Sequence, residues 1–188
     1  FDVTAGGDWT YTLDNAAAQS LSGTDVITET FTVTAITGDG ESVTQNVSVT
    51  VTGENDGLVA LALADTLSED GPPLVLTADF IDVDIADIHA FSVDTTGLLG
   101  ALVNNGDGTF SYDPNGAFEY LSTGETATDS FTYTVEDGNG GSSTETVTLT
   151  INGANEVLLG DALANTLNGG DYQDEIFGFD LEDTLMGG

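Results

Sequence analysis

The feature that most constrains the fold of this chain is an internal repeat at an offset of 100 residues. Residues 31–34 align with residues 131–134, and residues 53–56 align with residues 153–156. A repeating unit of about 100 residues has the size of a seven-stranded β-sandwich domain. We therefore predict that residues 57–156 form one complete domain. Residues 1–56 would then be the C-terminal half of a preceding domain, with the missing strands before Phe1.

Within each repeat, apolar residues alternate with threonine and serine. The clearest runs are Phe131, Tyr133, Val135 and Val147, Leu149, Ile151. This period of two predicts half-buried antiparallel strands, and the glycine-rich and Asx-rich stretches between the runs predict turns. The predicted fold class is all-β, with tandem Greek-key β-sandwich domains of the cadherin or immunoglobulin kind. The half domain would expose an open core face and unpaired strand edges.

A different period begins after residue 156. Glycine recurs every nine residues, at positions 160, 169, 178 and 187, and an aspartate follows five residues after two of these glycines, as Asp174 and Asp183. Nonapeptide repeats of this period hold Ca²⁺ between short stacked strands. Residues 157–188 are therefore predicted to start a short parallel β-roll, with Asp174 and Asp183 as metal ligands. A strand ladder without metal is the alternative.

The composition limits the possible partners. The chain contains 33 Asp and Glu residues, one His, and no Lys, Arg or Cys, which gives a formal net charge of -33. Without cationic side chains it has no means of neutralising phosphates, so we expect no binding of nucleic acid. No apolar stretch approaches 18 residues, so we expect no membrane insertion. The expected small partners are cations, and a metal would supply the cross-link that disulfides cannot.

The acidic residues follow one another at regular intervals. Asn55 and Asp56 come first, Glu69 lies 13 residues after Asp56, and Asp82 and Asp84 follow at a similar distance. Glu125 precedes the strand that begins near Phe131, and Asp137 ends it. This series resembles the calcium-ligand pattern of a cadherin domain. Residues 7–15 and 137–141 resemble more narrowly the bacterial cadherin-like and VCBS repeats of large surface adhesins, and the tail resembles an RTX calcium-binding repeat.

The resemblance implies calcium sites at the junctions between successive domains. For the first junction the implied ligands are Asp25, Asn55, Asp56, Asp82, Asp84 and Asp137. For the next junction they are Glu69, Glu125, Asn155 and Glu156. The resemblance also implies an extracellular protein of the bacterial cell surface, exported by type I secretion. Its partners would be calcium ions, neighbouring repeats of the same chain, and a host, surface or glycan ligand.

Elementary electrostatics supports the calcium hypothesis. Two carboxylates about 5 Å apart in an effective dielectric near 20 repel by roughly 3 kcal/mol, so a converging group without Lys or Arg needs a cation or protons. Ca²⁺ accepts six to eight oxygen ligands in irregular geometry, whereas Zn²⁺ prefers Cys and His. His89 is predicted to be a surface strand residue. The alternative is that these Asp and Asn residues only form turns.

Two other functions are weighed against this one. A serine-type catalytic site would have to use His89, and no nucleophile motif accompanies it, so we expect no enzyme activity. A carbohydrate-binding or ligand-binding β-sandwich is the more serious alternative. It would require an exposed aromatic patch or a loop cleft, and a stacked pair of exposed aromatic rings would favour it.

Overall fold

The structure is a computed structural model that describes residues 1–155, 157–159, 166–168, 175–177 and 184–186. The chain divides into two compact units. The first unit consists of Phe1–Val59, Ile81–His89 and Glu136–Ser142. The second unit consists of residues 60–80, residues 90–135 and the described residues from 143 onward.

A long hairpin dominates the first unit. Its elements are β1 (Asp2–Val3), β2 (Trp9–Thr10), α1 (Asn15–Ala18), β3 (Val26–Ile36) and β4 (Ser42–Thr52). Strands β3 and β4 pair in antiparallel register from Val26 opposite Thr52 to Ile36 opposite Ser42. The single helical turn α1 begins after Asp14, whose carboxylate accepts hydrogen bonds from the backbone N–H groups of Ala16 and Ala17.

The strands that follow build the second unit on two sheets. They are β5 (Val59–Ala60), β6 (Leu63–Ser68), β7 (Leu74–Thr77), β8 (Phe80–Ile81), β9 (Ala90–Asp94), β10 (Ala101–Asn104), β11 (Thr109–Asp113), β12 (Thr126–Glu136) and β13 (Ser142–Asn152). One sheet has the order β6-β13-β12-β9 and the other β10-β11-β7, while β5 pairs with β8. The Phe110 ring contacts the rings of Phe131 and Tyr133 at 5.8 and 5.7 Å, which packs the two sheets face to face.

The repeat seen in the sequence is also present in the structure. The bounds of β3 and β4 differ from those of β12 and β13 by 100 residues at every end. The corner before each hairpin is built alike, because the Ser22 N–H donates to Asp25 Oδ2 at 3.1 Å and the Ser122 N–H donates to Glu125 Oε2 at 2.9 Å. The predicted all-β fold with β-sandwich packing is therefore confirmed.

The described part of the tail consists of short parallel strands. They are β14 (Val157–Leu159), β15 (Thr166–Asn168), β16 (Glu175–Phe177) and β17 (Thr184–Met186). Strand β14 pairs in parallel with β16, and β15 pairs in parallel with β17. Strands that start nine residues apart and pair with the next but one form the predicted short parallel β-roll. The candidate ligands Glu156, Asp174 and Asp183 lie outside the described residues.

Candidate metal site

The first compact unit contains every candidate ligand predicted for the first junction. Asp25, Asn55 and Asp56 lie in its first segment, and its other two segments carry Asp82, Asp84 and Asp137. Asp84 is fully buried, Asp137 is 1% exposed, and the Asp82 side chain is 3% exposed. Burying charged groups without compensation is costly, so the partners of these carboxylates decide what the site can do.

Asp84 connects the loop after β8 to the stretch that precedes β5. Its Oδ2 accepts a hydrogen bond of 2.7 Å from the backbone N–H of Asp56. Asp82 forms a local turn in which its Oδ1 accepts from the Asp84 N–H at 3.0 Å, and this turn fixes the backbone from which the Asp84 side chain projects. The second oxygen, Asp84 Oδ1, is buried and has no hydrogen-bond partner.

His89 holds the second oxygen of Asp82. The distance from His89 Nε2 to Asp82 Oδ2 is 2.8 Å, and the His89 side chain is 16% exposed. The predicted surface strand position of His89 is therefore wrong, because the residue precedes β9 and its ring packs against the acidic loop. Sequence reasoning had no signal for this pairing, since a seven-residue separation outside a regular element does not predict contact.

Asp137 shapes the turn between β12 and β13. Its Oδ1 accepts from the N–H groups of Asn139 at 2.7 Å and Gly141 at 2.9 Å, and its Oδ2 accepts from the side-chain amide of Asn55 at 3.0 Å. The hydrogen bond from Asn55 is the main cause that lowers the pKa of Asp137, and the backbone donors add to it against the opposing effect of burial. The Asn55 Oδ1 atom is buried without a hydrogen-bond partner.

Asp25 lines a cleft of about 310 Å³ together with Asp87 and Asp137. Its Oδ2 is already held by Ser22, and the side-chain amide of Asn139 donates to Asp87 Oδ2 at 2.8 Å. Asp87 was not among the predicted ligands. Its position three residues after Asp84 was the sequence signal that could have identified it.

In the first repeat, Thr37 takes the place of Asp137. The Thr37 hydroxyl oxygen accepts from the Glu41 N–H at 3.1 Å, which reproduces one of the turn hydrogen bonds without a charge.

The candidates for the second junction lie around residues 153–155. Glu69 is buried, and its Oε1 accepts from the Ala154 N–H at 2.6 Å. Asn155 Oδ1 accepts a hydrogen bond from the Thr123 N–H at 3.0 Å. The neighbouring Ser122 N–H donates to Glu125 Oε2. Glu69, Glu125 and Asn155 are thus tied to the same end of the second unit by bonds to backbone amides.

Comparison with known families identifies the module. The bacterial cadherin-like domain family matches residues 55–153. The chain belongs to this family. Cadherin-like domains are extracellular structural modules of the adhesion type, and the family is non-enzymatic. No curated protein matches the chain, and no helix among its described residues is long and apolar enough to cross a membrane.

The chain is similar to several solved cadherin structures at low sequence identity. The chain is similar to human mucin-like protocadherin EC1-2, with 16% identity, a TM-score of 0.46, and coverage of 80% of this chain and 76% of that one. Human CDH23 EC21-23 has 13% sequence identity and a TM-score of 0.47, and the match covers 75% of this chain and 49% of that one. Mouse PcdhgC3 EC1-3 has 13% sequence identity to this chain and a TM-score of 0.42. The match covers 81% of this chain and 50% of that one, so the chain spans half of that protein's length.

The described residues of this cadherin-like chain do not converge into a ready-made cluster. No three Asp, Glu or His side chains among them lie in a group that could hold a metal ion. Asp82, Asp84 and Asp137 each accept hydrogen bonds from backbone or amide donors. The structure therefore brings the predicted ligands into one compact unit and leaves two buried oxygens, on Asn55 and Asp84, without donors.

Stacked aromatic rings lie in the first repeat, and their position in that repeat decides whether they indicate a ligand site. Phe1 stacks on Phe31 with ring centroids 4.4 Å apart, and the neighbouring Trp9 is 49% exposed. In the second repeat, Phe31 corresponds to Phe131 at the 100-residue offset, and Trp9 corresponds to Phe110 one residue out of that register. Phe110 and Phe131 both lie in the core of the cadherin-like domain. The aromatic patch is therefore the core face of the first repeat, and it does not favour a sugar platform.

Proposed function

We propose that this chain is a calcium-binding structural region of a secreted or cell-surface bacterial adhesin, in which Ca²⁺ at domain junctions rigidifies an extended stalk. The observation that carries the proposal is Asp84. It is a fully buried carboxylate in a chain without Lys or Arg, and one of its oxygens has no donor. A buried anion of this kind requires a cation or a proton, and at neutral pH a cation is the better solution.

The donor set suits Ca²⁺. Asp84 Oδ1 and Asn55 Oδ1 are buried oxygens that accept nothing from the protein. The carboxylates of Asp25, Asp56, Asp82 and Asp137 would complete the first junction site. Calcium prefers such hard oxygen ligands and tolerates irregular geometry, whereas Zn²⁺ would want Cys or several His. Bound calcium would supply the positive charge that this group of acids lacks.

The same proposal covers the rest of the chain. Residues 1–56 and 57–156 are successive cadherin-like domains, the first represented by its C-terminal half, and residues 157–188 begin an RTX-type roll. The second junction would use Glu69, Glu125, Asn155 and Glu156, and the roll would use Asp174 and Asp183. Export by type I secretion would let the chain fold outside the cell, where calcium is abundant.

The mechanical role follows from where the ligands come from. A site that joins Asp25, the linker residues Asn55 and Asp56, and the Asp82 and Asp84 loop ties two domains and their linker to one ion. A freely hinged chain spans a distance that grows only as the square root of its length, so a stalk gains reach when its junctions are rigid. Without calcium the same acids repel one another.

Isothermal titration calorimetry of Ca²⁺ tests the proposal. We expect Asp84→Asn to weaken binding by about tenfold or more, because it removes a charged ligand from the site. Asp113→Asn is the matched control, since Asp113 accepts from the Asn115 N–H in a turn and belongs to no predicted site. Equal affinities in the two variants would refute the first junction site.

Small-angle X-ray scattering of the same proteins tests the rigidity. With Ca²⁺ we expect a longer maximum dimension than with chelator, and Asp84→Asn should remove most of the difference. A maximum dimension that does not respond to Ca²⁺ in a protein that binds it would separate calcium binding from the proposed stalk function.

A further inference from the structure

The only histidine of the chain lies at the base of the loop that carries the buried acids. This loop, residues 82–89, forms the whole connection between β8 and β9. Asp82 is its first residue and His89 its last, and the distance from His89 Nε2 to Asp82 Oδ2 is 2.8 Å. The hydrogen bond between these two side chains therefore closes the loop at its base and holds Asp84 between its ends.

Apolar packing does not fix the shape of this loop. Its aliphatic side chains Ile85 and Ile88 are 81% and 86% exposed. The side chains of Asp82 and His89, by contrast, are only 3% and 16% exposed. Because the aliphatic groups remain in water, burial of apolar surface contributes little to the order of the loop. The conformation of residues 82–89 therefore depends on hydrogen bonds.

A series of hydrogen bonds leads from His89 to the candidate metal site. An ionised carboxylate can only accept, so His89 Nε2 is the donor to Asp82 Oδ2. The other oxygen of Asp82 accepts from the Asp84 N–H at 3.0 Å, and Asp84 Oδ2 accepts from the Asp56 N–H at 2.7 Å. With both oxygens held, Asp82 has a fixed orientation. It fixes in turn the backbone of Asp84, whose buried Oδ1 has no hydrogen-bond partner.

We infer that His89 is a positioning residue, which holds Asp82 at the base of the loop and thereby sets the buried Asp84 carboxylate where an ion would bind. The role of His89 in the loop rests on these contacts alone, and its effect on calcium affinity rests on the proposed function. Carboxylates that bind a metal are themselves held by outer hydrogen bonds, and loss of such a bond typically weakens metal binding by about 10- to 100-fold.

Two other roles for His89 lead to different expectations. A ring that only fills space would affect the stability of the fold without changing the environment of Asp84. A ring that competes with the ion for Asp82 Oδ2 would have to leave before calcium binds, so its removal would tighten binding. Positioning is favoured because Asp82 is buried and its second oxygen already holds the Asp84 backbone.

Hydrogen exchange of the full chain in calcium-free buffer, measured by NMR, tests the role of His89 in the loop. We expect His89→Ala to speed the exchange of the Asp84 and Asp56 amides by about tenfold or more, because both donate to carboxylates that the loop holds. His89→Gln, whose side-chain amide can also donate to Asp82, should keep both rates within about threefold of the native ones. Ile88→Ala is the matched control, since it removes an exposed neighbouring side chain and should change neither rate.

The histidine ring supplies a second readout. Because His89 is the only histidine, its ring-nitrogen signals are assigned directly. We expect a hydrogen-bonded proton on Nε2, and a ring with its single hydrogen on Nδ1 would overturn the inference. The amides of β12 report whether each variant keeps the fold. Should His89→Ala unfold the chain, the ring signals and the amide rates of His89→Gln still decide.

Calorimetric titration of Ca²⁺ into the same variants tests the effect on the site. His89→Ala should weaken binding by about tenfold, and His89→Gln should restore most of the affinity. In an Asp82→Ala background, His89→Ala should have little further effect, because the histidine acts through that carboxylate.

The two measurements separate this inference from the proposed function. Amide exchange that does not respond to His89→Ala would overturn the inference. Faster exchange of the Asp84 amide with unchanged or tighter calcium binding would also overturn it. If the native chain binds no Ca²⁺, the proposed function fails, and the exchange rates alone decide whether His89 positions the loop.

Discussion

At the scale of single residues, the local supply of hydrogen-bond donors separates buried acids that the fold satisfies from buried acids with an oxygen left without a donor. Asp129 is 4% exposed and accepts from the Tyr112 hydroxyl at 2.7 Å, from the Gly100 N–H at 3.0 Å and from the Leu99 N–H at 3.1 Å. Burial, together with Asp129, raises the pKa of Tyr112 well above its ordinary value, so the phenol stays a donor. Asp129 is therefore satisfied by the fold itself, whereas Asp84 is not.

Asp137 predicts a defined pH dependence. Because its pKa in the folded state is lowered, its charge stabilises the fold above the ordinary carboxyl pKa of about 3.9, and this stability is lost as the pH falls through the lowered value. We expect the difference in unfolding free energy between the native chain and Asp137→Asn to be largest near neutral pH and to shrink below about pH 4. Denaturant unfolding in calcium-free buffer measures it.

Asn55→Ala is the control for this prediction, since it removes the main donor to Asp137. In that background the pH-dependent difference should be smaller. A difference of the same size in both backgrounds would show that the bond from Asn55 does not lower the pKa of Asp137.

At the scale of elements, the corner before each long hairpin depends on a glycine. The Gly53 N–H donates to the Asp25 carbonyl at 2.9 Å, and the Gly153 N–H donates to the Glu125 carbonyl at 3.0 Å. A Cβ at either glycine would collide with a backbone carbonyl, that of Ser22 or Ser122. The close approach of the two backbones explains why glycine stands at both positions of the repeat.

We therefore expect Gly153→Ala to lower the free energy of unfolding by about 2 kcal/mol, because backbone atoms have to move to admit the methyl group. Gly57→Ala is the matched control, since a Cβ there would meet nothing within 4 Å. It should leave stability within about 0.5 kcal/mol of the native value. Chemical denaturation measures both, and equal losses would contradict the close approach at Gly153.

At the scale of the whole molecule, the net charge of -33 opposes compaction. Screening by any salt reduces this repulsion, but a ligand that binds only the folded state adds stability by mass action. We expect millimolar Ca²⁺ to raise the melting temperature by about 5 °C or more beyond the effect of Na⁺ at equal ionic strength.

Asp84→Asn separates the two contributions in the same thermal melts. This variant should keep the shift caused by Na⁺ and lose part of the shift specific to Ca²⁺. Equal shifts with the two salts in the native chain would mean that screening alone acts on the fold.

Much of the fold follows from sequence patterns alone. The alternation of apolar residues at Phe131, Tyr133 and Val135 correctly predicts which side of β12 is buried, because strand periodicity is a local property of the sequence. The 100-residue offset likewise predicts that both hairpins end at equivalent residues. The candidate residues from Asn55 to Asp137 were predictable from their spacing, which resembles that of the family, and the structure places them in one compact unit.

The sequence by itself thus determined the all-β class, the repeat and the acidic residues, because each is written in local pattern and composition. Only the tertiary structure decided the environment of each acid. Asp84 meets the Asp56 N–H across 28 residues, and Asp129 meets Leu99 across 30. Backbone amides are the same in every residue, so no side-chain pattern reveals which carboxylate they will satisfy and which oxygen they will leave without a donor.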